Sequence, residues 1–341
     1  MTGRAWVVIL NWNGRDYIRD CLRSALTQTY PDYRVAVIDN ASTDGSPDIV
    51  REEFPEATLI VLAQNLHFAR GTNAGIRVAL RDPSCEFVVP LNNDTRVEPE
   101  WLATLVRAAD RSQIGSVAAK LLLLDRPNVL NSAGLSITRD GAAVDRGWLQ
   151  EDEGQFDRDV DVFGPSAGAA LYRREALETV GLFDEDFVAY LEDVDLAWRI
   201  RLAGFHGRFA PNAIVYHKHS ASSTPNSPWK TYISERNRIW NLVQNYPWRY
   251  VVLAPPWNGA RNLTALRRRV MPARYPTTFG QSLSLRDTVE AHLCGREEAY
   301  AGLGRALRKR RLRGKYRKVT AADVGHWLHR YGIGIKDIPV H

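Results

Sequence analysis

Over the first hundred residues, short apolar runs alternate with segments whose apolar positions recur at helical spacing. Residues 5–10 form a continuous apolar run with β-branched members, ending in the polar Asn11, Trp12, Asn13 and Gly14. That pattern predicts a buried strand. From Asp16 onward, Tyr17, Ile18, Cys21, Leu22, Ala25 and Leu26 fall on one helical face. Further strands are expected over 33–38, 58–62 and 86–91, with helices starting near Pro47 and covering 71–80. Strands and helices joined by short connections point to a parallel, doubly wound α/β sheet. In such a sheet the ligand lies beyond the carboxyl ends of the strands. Those ends carry residues 11–14, residues 39–44 and Asn92, Asn93 and Asp94, so three polar clusters are expected on one rim.

Between about 121 and 161 the periodicity weakens, and strands with a loop are expected there. Helices follow over 174–180, 191–202 and 231–243, and a basic helix over 299–318. The 191–202 helix crowds Glu192, Asp193 and Asp195 into its first turn, where the helix dipole alone favours carboxylates. The division expected is a catalytic-looking domain over 1–225, with halves at about 1–120 and 121–225, then a helical, basic extension over 226–341.

Charge sharpens that division. The net charge of +6 conceals 22 Lys+Arg against 7 Asp+Glu in residues 229–341, and 23 against 32 before them. Two modules with different partners are implied. Nine of the fourteen residues 305–318 are Lys or Arg. An anionic membrane surface, nucleic acid and a merely solvated helix face all fit such a run. Without aromatic interleaving, nucleic acid is the weakest of the three and the membrane surface the strongest. A contact between copies of the chain is a further use for the extension. No stretch approaches the roughly 20 apolar residues that span a bilayer. The run over 5–10 is too short for a signal peptide. Three scattered cysteines suit a reducing compartment. The expectation is a cytoplasmic protein, peripheral at the inner face of the membrane if the basic segment binds lipid.

Eight motifs then carry a resemblance: VILNWNG at 8–14, DNASTDG at 39–45, NLHFARGTNAG at 65–75, LNNDT at 91–95, GAALYRR at 168–174, GLFDE at 181–185, YLEDVDL at 190–196 and VYH at 215–217. Their order over residues 4–247 resembles family 2 glycosyltransferases, especially the bacterial rhamnosyltransferase-like branch. The resemblance implies a GT-A fold, a Rossmann-like nucleotide-binding half continuous with an acceptor-binding half. It also implies inverting transfer of a hexose from a nucleotide diphosphate (UDP or dTDP, with dTDP-rhamnose the first choice) to a hydroxyl of a cell-surface polysaccharide or lipid-linked glycan.

The residues can be weighed against that chemistry. A departing diphosphate needs its charge neutralised, a task for Mg²⁺ or Mn²⁺ with oxygen ligands. Asp94 at a strand end suits a metal ligand, although turn capping also explains a lone Asp there. His217 becomes the second ligand through the resemblance. The family usually carries Asp-x-Asp here, whereas Asn92-Asn93-Asp94 leaves one charge and implies a weak site completed by diphosphate and water. The acceptor hydroxyl needs a general base. Asp193 matches the family's base, and the neighbouring acids should hold its proton affinity near working pH. Asp39 can accept the imide N3–H of a pyrimidine. Asn11, Asn13, Asn92 and Asn93 are expected around the nucleotide. Arg70 and Asn73, with Gly71, suit phosphate at a helix start, although Asn73 also fits a helix cap. Gly168 and Ala169 fit a sugar pocket or a tight strand contact, and Glu192 joins that pocket. Trp148 fits sugar stacking or core, and Trp198 fits core. Two rivals remain, an inactive nucleotide-sugar or glycan-binding module and a nucleotidyltransferase. The latter normally has a glycine- and basic-rich phosphate loop near the first strand, which residues 11–14 lack.

Overall fold

The computed structural model describes residues 3–218, 227–270 and 284–338, apart from the side chains of 265–270. The expected domain boundary at 225/226 lies outside the described residues. The chain forms two compact units. One runs to Leu135 and resumes at Asp145 to include the last strand; the other combines Ser136–Val144 with the C-terminal helices.

In the first unit the strands are β1 (Arg4–Asn11), β2 (Tyr33–Asp39), β3 (Thr58–Val61), β4 (Cys85–Asn92), β5 (Thr95–Val97), β6 (Ile114–Leu123), β7 (Arg126–Ser132), β10 (Asp161–Val162), β11 (Ala170–Arg173) and β12 (His206–His217). The helices are α1 (Ile18–Ala25), α2 (Ser46–Glu53), α3 (His67–Arg81), α4 (Trp101–Ala108), α5 (Arg174–Val180) and α6 (Glu192–Leu202). All four strands expected before residue 92 form; β1, β2 and β4 are apolar runs buried within the sheet, whereas β3 is its more exposed edge.

The ten-stranded sheet has the order β10-β12-β6-β11-β4-β1-β2-β3, with β5 on β12 and β7 on β6. β1 runs parallel to both β2 and β4. The strand order reverses at β1, which makes the crevice beyond its carboxyl end the place for a ligand. Register fixes that crevice, since Asn11 pairs with Asp39 and Leu10 with Asn92. β11 enters antiparallel between β4 and β6, so the sheet is mostly rather than wholly parallel. Beneath it, Val7, Ile9, Val37, Phe87, Val89, Trp101 and Val117 pack into one core, all but shut off from solvent.

The hairpin of β8 (Leu135–Ile137) and β9 (Ala143–Asp145) had no clear signal in the sequence. In the helical unit, α7 (Pro228–Asn245), α8 (Trp248–Val270), α9 (Leu285–Ala301), α10 (Leu303–Arg313) and α11 (Ala321–Arg330) follow one another. The single basic helix expected over 299–318 is instead two helices broken at Gly302. A β-carbon there would lie 2.6 Å from the Trp240 ring, so this close approach admits only glycine. Residues 136–144 join the same unit, with Ile137 bonded to Tyr331 and Ile333, and the Tyr246 hydroxyl donating to Thr138.

Candidate active site

The polar rim is one hydrogen-bonded network. Asn11 is fully buried and donates from Nδ2 to Asp39 Oδ1 at 2.9 Å and Ser46 Oγ at 2.8 Å. Its Oδ1 accepts from Asn93 Nδ2 at 2.9 Å. Asp39 is equally buried, and its second oxygen accepts from the Ser42 amide at 3.0 Å. Asn13 accepts from the Thr43 amide at 2.9 Å, tying the loop after β1 to the loop after β2. Gly14 closes this corner because a β-carbon would collide with the Asn11 and Asn93 side chains. Of the residues expected around the nucleotide, Asn11, Asn13, Asp39 and Asn93 therefore share one cluster. Its bonds run within the protein, which pre-sets its geometry.

Asp94 and His217 meet because β5 pairs antiparallel with β12, Thr95 opposite His217. The Lys218 amide then bonds the Asp94 carbonyl at 2.9 Å, bringing the side chains together. His217 Nε2 stands 3.2 Å from Asp94 Oδ1, and both residues are buried. His217 Nδ1 lies 2.6 Å from Asn131 Oδ1, while Nε2 lies 3.3 Å from Asn92 Nδ2. Both amides ask for the same tautomer, with the proton on Nδ1 and a lone pair on Nε2. An imidazole lone pair beside a carboxylate suits a cation shared between them, and the Asn131 bond is the outer support that metal-binding histidines usually have. The pair thus fits a divalent cation. Among the described residues, no third His, Cys, Asp or Glu completes a protein cage. The remaining ligands of a bound cation fall to diphosphate and water.

Asp193 stands at the start of α6, half-buried. Its Oδ2 accepts from the Ala167 amide at 3.0 Å and Oδ1 from the Val194 amide at 2.7 Å. Burial raises its pKa despite those bonds. Burial raises Glu192 further, and the neighbouring Asp193 and Asp195 add to the effect. Asp195 instead pairs with Arg199 at 2.8 Å, and Arg199 caps the carbonyls of Val180, Gly181 and Leu182, a bracing role. The approach to α6 is strained. Val188, Tyr190 and Leu191 have φ of 67°, 64° and 65°, costing about 1–3 kcal/mol each. Such strain gathers where a side chain must be aimed.

One short stretch runs from Asp193 towards His217. Ala167 bonds Asp193, and a β-carbon on the next residue, Gly168, would lie 3.5 Å from Asn92 Nδ2 and 3.7 Å from His217. Ala169 is fully buried and bridges Leu91, so it serves the strand contact. Arg70 reaches Glu185 at 3.1 Å, and Asn73 bonds Phe183 and Glu185 from a buried position. Both tie α3 to the turn over Glu185–Phe187, away from the Asn11 network in their bonding. Trp148 is half-buried beyond β9, whereas Trp198 is core.

Sequence reasoning missed Asn131 and Asp145. Burial pushes the Asp145 carboxyl up to about 6; Asp193 raises it, while Ser132, His217 and Ser166 pull it down. Asp145 therefore lies within electrostatic reach of both Asp193 and His217. Three buried polar atoms around these acids, Asp145 Oδ1, Glu192 Oε2 and Tyr172 Oη, have no hydrogen-bond partner among the described residues. Orphaned groups of this kind call for a polar ligand. The only hint in the sequence was polar residues inside a segment of weak periodicity.

A reversed-order α/β sheet with a buried polar network at its strand ends is the architecture of a Rossmann-like α/β protein, whose ligand crevice lies beyond those ends. The family profile "Glycosyl transferase family 2" matches residues 6–181, and the chain belongs to that family. It is 28% identical over 248 residues to the N-acetylglucosaminyl-diphospho-decaprenol L-rhamnosyltransferase of Mycobacterium tuberculosis, covering 67% of this chain and 80% of that protein. It is 27% identical over 258 residues to the O-antigen biosynthesis protein RfbC of Myxococcus xanthus, covering 73% of this chain but only 20% of that protein. Among solved structures, GalNAc-T7 with UDP, GalNAc and Mn²⁺ superposes with a TM-score of 0.57 at 14% identity, over 88% of this chain and 57% of that one. TarS of S. aureus gives 0.52 at 17%, over 91% and 53%. At those identities the likeness establishes the fold, which is GT-A.

Proposed function

We propose that this chain transfers a sugar, with inversion, from a pyrimidine nucleotide diphosphate to a hydroxyl of a cell-surface polysaccharide or lipid-linked glycan. Asp193 takes the acceptor proton as the acceptor oxygen forms its bond to the anomeric carbon. The bond from that carbon to the diphosphate breaks, and the nucleotide diphosphate leaves with the electron pair. Asp94 and His217 would hold Mg²⁺ or Mn²⁺, which supplies Lewis-acid neutralisation of the leaving diphosphate. Asn11 and Asn93 position Asp39 for the base, and Asn92, beside His217, lines the path between nucleotide and sugar. Glu192, Asp145 and Tyr172 offer their unpartnered atoms to sugar hydroxyls. The likeness to the Mycobacterium tuberculosis L-rhamnosyltransferase favours rhamnose as the sugar, from dTDP-rhamnose in our reading, and a diphospho-lipid-linked glycan as the acceptor.

The observation that carries this reading is the step from Ala167 to Gly168. Of these adjacent residues, whose α-carbons lie about 3.8 Å apart, Ala167 bonds Asp193, and Gly168 leaves open the space in front of Asn92 and His217 that a β-carbon would enter. That spacing suits a sugar held between base and leaving group. Calorimetric titration of UDP and dTDP, each with Mn²⁺, Mg²⁺ or EDTA, tests it. Metal-dependent binding of one nucleotide is expected; no binding of either under any condition overturns the reading.

A further inference from the structure

We propose that the outward face of α8 is a docking surface for an anionic phospholipid bilayer. Trp248, Val252, Pro255, Pro256, Gly259 and Leu263 recur at spacings of three and four, so they share one face of the helix. All six are exposed, Trp248 by 54%, Val252 by 72% and Leu263 by 49%. Leu253, on the flank, is 57% exposed. The stripe spans sixteen residues, about 24 Å of helix. The less exposed side of α8 carries Val251, Ala254 and Trp257 with the polar Asn258 and Arg261, so the helix is apolar on both sides and leaves a full stripe to the outside, where a helix normally presents polar residues.

Charge decides what covers the stripe. α8 contains five arginines and no acidic residue. At its start the Arg310 guanidinium of α10 lies 4.3 Å from the Trp248 ring centroid, so the basic helix adjoins the apolar stripe. Arg308 and Arg311 of α10 are exposed, as are Lys315 and Lys318 beyond it, and none has an acidic partner among the described residues. An apolar stripe flanked by cations, with a tryptophan at the junction, matches the layered chemistry of an anionic lipid interface. A second copy presenting the same face in a two-fold contact would bring charge of the same sign against these cations, which opposes that association. No described helix is long and apolar enough to cross a membrane, so α8 would lie along the surface.

The test is flotation of the full chain with phosphatidylcholine vesicles, with and without about one-third phosphatidylglycerol. Binding to the anionic vesicles, weakened by salt and much weaker on phosphatidylcholine alone, is expected. The double variant Val252→Asn with Leu263→Asn should lower partitioning by at least about tenfold. Circular dichroism should be unchanged, because both side chains already face water. The pair Arg308→Glu with Arg311→Glu should also weaken binding. The proposal falls if the wild-type chain ignores anionic vesicles, or if the α8 double variant binds them as well as wild type. It falls equally if sedimentation shows a dimer that the α8 variant dissociates while vesicle binding is unmoved, which would assign the stripe to a second copy.

Discussion

Two buried acidic clusters in this chain take opposite electrostatic paths. Glu235 of α7 is 3% exposed, and burial alone would raise its pKa. Arg238 holds it by two bonds at 2.9 and 2.8 Å and Arg296 by one at 2.8 Å, with Arg261 at 3.5 Å. These cations and His292 drive it far below the ordinary carboxylate range. Glu192 is 5% exposed, yet burial, Asp193 and Asp195 all raise it, and no Lys or Arg pairs with it among the described residues. Burial is nearly equal, so the partners set the sign. The paired cluster does structural work: Arg238 also bonds the Asp140 carbonyl at 2.7 Å, and Arg261 reaches its carboxylate at 3.2 Å, fastening residues 136–144 to the helices. Glu192 and Asp193, held by no such cations, keep their proton affinity, which the proposed general base needs.

The comparison breaks most clearly at Asp193. Asp193→Asn should lower transfer by about 10²–10⁴-fold while calorimetric binding of the nucleotide diphosphate persists. Loss of both together would reassign Asp193 to binding. Glu235→Ala should cost the helical unit about 3–5 kcal/mol near neutral pH, because it strands buried guanidinium groups. Because the native pKa of Glu235 is depressed, its stabilisation is present above the ordinary carboxylate pKa and fades as pH falls below it. Urea unfolding of wild type and variant at several pH values should show that gap closing in acid. Glu192 has the reverse sign. Its raised native pKa favours the folded state at low pH, and the advantage is lost as pH rises through that pKa. Glu192→Gln should therefore stabilise on the order of 1 kcal/mol at mildly alkaline pH and make little difference in acid. A variant less stable than wild type at high pH would show that Glu192 has a hidden cationic partner.

The smallest effect concerns Asp145. Its proton leaves near pH 6, adding negative charge beside Asp193 and strengthening that base as pH rises. Asp145→Asn should remove a rise in transfer rate centred near that pH and leave nucleotide affinity unchanged. An unaltered pH–rate profile would restrict Asp145 to a structural role.

The first half of the sheet was legible early, and the reason lies in its local character. Strands β1, β2 and β4 are apolar runs whose last residues, Asn11, Asp39 and Asn92, are polar, and a parallel sheet must place those ends on one rim. The acidic helix start at Glu192, Asp193 and Asp195 was legible too, while the choice of Asp193 within it came from the family resemblance. Asp145 and Asn131 were not, since short strands in a weakly periodic segment acquire their neighbours only through pairing. The role of Asn73 was likewise decided by Phe183, a residue 110 positions away.

The sequence by itself determined the first four strands, the helices between them and the polar rim, because apolar periodicity and strand-end polarity act within a few residues. Only the tertiary structure decided that Asp94 meets His217, that Asn131 sets the imidazole tautomer, and that residues 136–144 join the helical unit. It alone turned the apolar side of α8 outward and surrounded Glu235 with guanidinium groups. Each of those outcomes depends on which distant side chain comes within bonding distance, and only the folded packing fixes that distance.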